Sequence, residues 1–216
     1  KTAYSSLYSY PRFTWQTVIP DQRRISKIDL SDDYLQAIRL YASCADELKN
    51  SELYRNDLIE FVSYYVAAKA EIFYKQALKD DSENRVLAAQ RNLQQTVDLL
   101  MDVDRLLASH PLYRLEEWVE LARNSGTTLQ EKDAYEANAK RLITSWGGIQ
   151  EDYAARFWSG LIKDYYIPRI QLYFTKDRNK IREWEEQWIT SPWSNSTTPF
   201  DDPVKAALNL IEKTNK

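Results

Sequence analysis

Apolar positions recur at helical spacing through most of this chain. Ser31, followed by Asp32 and Asp33, suits an N-cap, and Leu35, Ile38 and Ala42 then share one face of a helix expected to run to about Leu48. From Leu58 to Leu78 the apolar residues Leu58, Phe61, Val62, Tyr65, Val66, Ile72, Phe73 and Ala77 make a stripe too wide for a surface helix, which predicts a central one. Between Glu83 and Leu107, Val86, Leu93, Leu100 and Leu107 repeat every seven residues with Ala89 and Val103 between them, the pattern of an antiparallel partner.

His110-Pro111 breaks that register, because the residue before a proline is pushed out of the helical region. A helix over about Pro111–Arg123 follows and Gly126 ends it. Thr128 with Glu131 then reads as a capping box opening a helix to about Ser145. Trp146-Gly147-Gly148 is a tight loop. Tyr153, Phe157, Leu161 and Tyr165 at four-residue spacing predict the next helix, interrupted or kinked at Pro168 before Leu172–Phe174. Another helix covers about Arg178–Ile189, Ser191–Asp202 is loop, and Pro203 opens a short last helix. The fold class is therefore all-α, an irregular antiparallel bundle of roughly seven to nine helices. Residues 1–28 lack a helical period and are rich in aromatics (Tyr4, Tyr8, Tyr10, Phe13, Trp15), so an extended segment packed on something is expected there.

Composition narrows the chemistry. At 216 residues and 44% hydrophobic, the chain is long enough for a core without staples. Its start at Lys1 and single methionine, Met101, read as a fragment or processed product. Basic residues number 29 and acidic ones 32, interspersed, which leaves no electropositive footprint for nucleic acid. No apolar run approaches a membrane span, and Lys1–Tyr10 shows no signal peptide. Four glycines, Gly126, Gly147, Gly148 and Gly160, form no phosphate-cradling loop, so no nucleotide cofactor is expected. The single Cys44 reads as a buried thiol, and the single His110 as structural; together they exclude Cys- or His-cluster metal sites. Adjacent acids such as Glu116/Glu117 and Glu185/Glu186 read as solvated faces. No residue here is assigned a catalytic role.

Aromatics, glycines and charges concentrate in Arg141–Arg169 (RLITSWGGIQEDYAARFWSGLIKDYYIPR). Core packing accounts for Trp158, and Gly160 reads as letting two helices approach closely. Trp146 differs, since it ends a helix just before Gly147-Gly148, where a ring can project towards a ligand. Both a core and a ligand-facing role stay open for it on these grounds.

Those residues resemble the C-terminal helical domain of family 89 glycoside hydrolases, the α-N-acetylglucosaminidases. The similar motifs are Leu142–Gly147, Asp152–Leu161 and Asp164–Arg169, preceded in the same order by Leu99–Pro111, Trp118–Glu120, Ala122-Arg123, Glu131-Lys132, Tyr135-Glu136 and Asn138-Ala139. The likeness covers at least Leu58–Phe174. The chain departs from the family in its shorter loop, Gly147–Glu151, in Ile170 where tryptophan is common, and at Leu115-Glu116-Glu117.

The resemblance implies hydrolysis of terminal α-linked N-acetylglucosamine with retention, by two glutamates about 5 Å apart on an upstream (β/α)8 barrel that this chain lacks. Residues 29–216 would be a single helical domain beside that barrel's C-terminal face, with 1–28 coming from the junction. Trp146, Gly147, Gly148, Ile149, Gln150 and Asp152 would form part of the sugar-pocket wall. Tyr153, Trp158, Tyr165, Tyr166 and Arg169 would hold that helix–loop–helix in place, Arg169 through Asp152 or Asp164. The implied partners are the chain's own barrel and a carbohydrate ending in α-N-acetylglucosamine. The implied location is extracytoplasmic, whether bacterial periplasm, cell surface or medium, or the lysosome. Two other readings compete: a helical carbohydrate- or protein-binding scaffold, and a self-contained helical hydrolase.

Overall fold

The computed structural model describes residues 32–145, 156–174, 180–194 and 196–214. Every named element among them is helical: α1 (Asp32–Ala42), α2 (Ala45–Leu48), α3 (Glu52–Ser82), α4 (Val86–Leu107), α5 (Leu115–Asn124), α6 (Leu129–Leu142), a π-turn (Ile162–Tyr166), α7 (Ile167–Phe174), α8 (Ile181–Thr190) and α9 (Pro203–Lys213). The expected all-α class stands. The aromatic segment 1–28 and the Ser31 cap lie outside the described residues. The rest fall into two compact units, 32–112 with 198–214, and 113–197.

In the first unit α3 is the central helix. Its N-cap Ser51 accepts the Tyr54 N–H through its hydroxyl, and its buried residues, including Leu58, Ile59, Val62, Tyr65, Val66 and Tyr74, cover most of its circumference. The helix ends in a Schellman motif. Asn84 adopts φ 59° at the left-handed position, the Arg85 N–H donates to the Asp80 carbonyl at 2.8 Å, and the Asn84 N–H donates to that of Asp81 at 3.0 Å. The Asp80 carboxylate then accepts from the side chains of Arg85, Gln76 and Asn92, so one buried acid ties the turn to both helices. These donors hold its carboxyl below the usual carboxylate range, Arg85 first. Helix α4 returns against α3, with the Thr96 hydroxyl donating to the Ala70 carbonyl. Helices α1 and α9 also pack on α3. Asp202 caps α9 through the Lys205 N–H, with Pro203 at the first helical position as expected.

Several expectations are corrected here. The first helix stops at Ala42, and a turn separates it from α2. Phe61 and Ile72, counted in the central stripe, are exposed. Val86 is 59% exposed; the buried line of α4 runs instead through Ala89, Thr96 and Val103, with Leu100 and Leu107 beside it. Cys44 is half-buried, its thiol a weak donor to the Leu40 carbonyl. His110 is buried, and its Nδ1 accepts the Leu112 N–H at 3.0 Å.

The second unit pairs α5 with α6, α6 with α8, and α7 with α8. Helix α5 begins at Leu115 rather than Pro111, because residues 111–113 form a turn and a bend and Arg114 is extended in a bridge to Ser159: the Ser159 N–H donates to the Tyr113 carbonyl and the Leu115 N–H to that of Ser159. The capping box forms as read, with Thr128 and Glu131 satisfying each other's backbone N–H groups. Phe157 is not helical; the helix starts at Leu161 after Gly160, whose φ is +83°. Gly160 does permit a close approach, but to Leu115 and the Trp193 ring, within 3.2 Å of where a Cβ would stand. Pro168 does not stop the helix. A proline has no N–H for the carbonyl four residues back and its ring presses on it, and the π-turn just before it takes up the misfit, with the Ile167 N–H donating to Ile162 five residues earlier.

Candidate functional site

Trp146, Gly147, Gly148, Ile149, Gln150, Asp152 and Tyr153 lie outside the described residues; the residues flanking them do not. On one side Thr144 is buried, its hydroxyl donating to the Lys140 carbonyl at 2.7 Å. On the other, the Arg156 N–H donates to the Ile143 carbonyl at 3.3 Å, and the Tyr166 hydroxyl donates to the Arg156 carbonyl at 2.7 Å. The chain on either side of 146–155 is thus joined backbone to backbone and pinned to the π-turn.

Tyr165, Tyr166 and Arg169 come together in one buried cluster. Arg169 is fully buried, and its Nε lies 3.0 Å from Oε1 of Glu185, itself 2% exposed. The Tyr165 hydroxyl donates to the same oxygen at 2.7 Å, and Arg182 Nη1 donates to Oε2 at 3.1 Å. Two charges withdrawn from water repay their desolvation only when the remaining hydrogen-bonding positions are filled, and here both oxygens of Glu185 are taken. The Tyr165 ring stacks on Trp184 with centroids 5.6 Å apart and leans on Trp188 at 4.8 Å. Trp158 stands apart from this cluster, edge-on to Trp118, whose indole N–H donates to the Ala139 carbonyl at 2.9 Å.

This arrangement gives Arg169 a partner that the sequence reading did not name, and it corrects one expectation. Arg169 pairs with Glu185, whereas Asp164 accepts the Trp193 indole N–H at 3.0 Å and Asp152 lies outside the described residues. Glu185 is also no solvated acid. Its neighbour Glu186 is, gripping Arg141 through two bonds of 2.7 and 2.6 Å. The missed signal was spacing: Glu185 stands four residues from both Ile181 and Ile189, on the face α8 buries.

A second buried network adjoins the first. Lys140 donates to the Trp188 and Ser191 carbonyls, neutralising the C-terminal end of α8, and lies 3.1 Å from Glu136 Oε1. Glu136 also accepts from Arg123 at 2.6 Å and from the Trp193 backbone N–H at 2.5 Å. Glu136 and Glu185 therefore spend both oxygens on structure, which unfits them for acid–base work. Among the described residues no group of three or more His, Cys, Asp or Glu could hold a metal ion, and no helix is long and apolar enough to cross a membrane.

Comparison with known proteins gives one family. The model of the alpha-N-acetylglucosaminidase (NAGLU) C-terminal domain matches residues 3–213. Human alpha-N-acetylglucosaminidase is 31% identical over 200 residues, which is 84% of this chain and 27% of the human protein. Two solved structures of a family 89 glycoside hydrolase from Clostridium perfringens share the fold at 22% identity. The complex with 2-acetamido-1,2-dideoxynojirmycin gives a TM-score of 0.75 over 87% of this chain and 24% of that one. The complex with GlcNAc-alpha-1,4-galactose gives 0.68 over 82% and 23%. The chain spans about a quarter of the length of these relatives.

Proposed function

We propose, because the chain belongs to the alpha-N-acetylglucosaminidase C-terminal domain family, that it is the helical part of a longer α-N-acetylglucosaminidase. Residues 29–216 act as one domain that packs beside a (β/α)8 catalytic domain, and Trp146, Gly147, Gly148, Ile149, Gln150 and Asp152 lend part of the wall of the pocket for terminal α-linked N-acetylglucosamine. The barrel supplies the nucleophile and the acid/base, and hydrolysis proceeds with retention. The enzyme works outside the cytoplasm, in an exported or lysosomal setting.

The observation that carries this reading is the family match over nearly the whole chain. The geometry supports it: the flanks of 146–155 are fixed by the Arg156 and Tyr166 hydrogen bonds, and a loop presenting an aromatic ring to a sugar needs such fixed ends. The carboxylates Glu136 and Glu185 are consumed by cations and hydroxyls, as suits a domain that frames a site rather than cleaving substrate itself.

The test is turnover of an aryl α-N-acetylglucosaminide by this chain alone and by the longer protein carrying it. The longer protein should hydrolyse it with retention, seen by proton NMR of the first-formed sugar, and the chain alone should not. Turnover by the chain alone that vanishes when one of its own carboxylates is replaced would contradict the reading.

A further inference from the structure

A cavity of about 260 Å³ opens in the second unit, between the C-terminal end of α8, the loop that follows it, α6 and the π-turn. We propose that this cavity binds one pyranose ring of a neutral saccharide, with Asp164 accepting its hydroxyls and Trp188 and Trp193 meeting its C–H surface.

The walls are apolar where a sugar is apolar. Trp188, Trp193 and Pro168 line the cavity together with Asp164 and Lys140, and Ser194 stands exposed at its rim. An indole face suits the C–H face of a pyranose, and a carboxylate oxygen accepts hydroxyl protons. The space equals about eight or nine water volumes at ~30 Å³ each, room for a single ring.

Asp164 is the polar anchor. It sits on the π-turn, a distortion found frequently at functional sites. Its Oδ2 takes the Trp193 indole N–H at 3.0 Å, while Oδ1 has no hydrogen-bond donor among the described residues. Burial pushes its carboxyl above the usual value for an aspartate, against the weaker pull of the Trp193 hydrogen bond and the Lys163 charge. A partly dehydrated carboxylate with an unused oxygen gains more from a ligand hydroxyl than a solvated one does.

The cavity is also built in advance. Lys140, 1% exposed, spends its donors on the Trp188 and Ser191 carbonyls and on Glu136, and Glu136 in turn holds the Trp193 backbone N–H. Both tryptophans are therefore fixed from behind by buried charges, which lowers the ordering cost of binding. That same use of Lys140 removes the cation an anionic ligand would need, and Asp164 repels one. A neutral, hydroxyl-rich ligand fits what is left. The choice of sugars as probes rests on the function proposed above.

The experiment follows the Trp193 indole N–H resonance by NMR in the ¹⁵N-labelled 216-residue chain, assigned by its loss in Trp193→Phe. The chain is titrated with methyl α-N-acetylglucosaminide and with methyl α-galactoside. A saturable shift with at least one glycoside is expected. Asp164→Asn, whose amide oxygen still accepts the indole N–H, should weaken binding about tenfold or more, and Ser194→Tyr at the exposed rim should abolish it. Should Asp164→Asn fail to fold, Ser194→Tyr decides. No saturable shift with either glycoside, or one that Ser194→Tyr leaves unchanged, overturns the proposal. So does a shift that disappears in Trp146→Ala, which would place the sugar at the proposed pocket wall. The turnover comparison above is independent of all these outcomes, so the two readings fail separately.

Discussion

Arg169 and Glu185 meet in the interior of the second unit, Nε 3.0 Å from Oε1, at 0% and 2% exposure. The Tyr165 hydroxyl and Arg182 complete the shell of Glu185. Breaking a buried pair from one side strands the other charge, whereas replacing both partners does not. Glu185→Leu should therefore cost about 3–5 kcal/mol. Arg169→Met combined with Glu185→Leu should cost clearly less than the sum of the two single changes. Urea denaturation of the four proteins measures this, and additive losses would show that the pair is not coupled.

Gly160 offers a local test of the turn into the π-turn. Its φ of +83° strains any L side chain, and a Cβ would lie 3.1 Å from the Trp193 ring and 3.2 Å from Leu115. Gly160→Ala should destabilise by about 1–3 kcal/mol, read as a lower urea midpoint. An unchanged midpoint would mean that the turn relaxes freely.

Two glutamates give opposite pH dependences. Glu131, held down to about 2 by the hydroxyl and N–H of Thr127 and the N–H of Thr128, adds stability that is fully present above about 4.5 and is lost as pH falls through about 2. Glu71 is buried, and one of its oxygens has no partner; desolvation pushes its carboxyl up despite Lys75. Its contribution is fully present below the ordinary glutamate value of 4.5 and is lost as pH rises through the raised one. Glu71→Gln should raise the denaturation midpoint at neutral pH and change little in acid, while Glu131→Gln should lower the midpoint above about pH 4.5 and thereby flatten the acid limb. A Glu71→Gln gain as large at pH 3 as at pH 7 would refute the assignment.

The sequence was most legible where structure is decided locally. Thr128 with Glu131, and Asp202 with Pro203, each satisfy a helix start within four residues, and both appear as read. Registers set by distant packing were less legible. Val86 fits the heptad on paper yet faces out, and Phe157 keeps a helical spacing while lying in a non-helical stretch that pairs Ser159 with Tyr113. The site showed the same division. Tyr165, Tyr166 and Arg169 were marked by their motif and prove to be one cluster, but the acid that joins Arg169 to Tyr165 sits on another helix and was hidden beside the solvated Glu186.

The central claim, that this helical domain completes a sugar pocket, is tested most directly by kcat/KM of the longer protein on an aryl α-N-acetylglucosaminide, with Trp146 intact and with Trp146→Ala. A fall of about tenfold or more, an aromatic contact worth roughly 1.4 kcal/mol or more in the transition state, with an unchanged denaturation midpoint, is the predicted result. An unchanged kcat/KM in the folded variant would contradict it and remove Trp146 from the pocket.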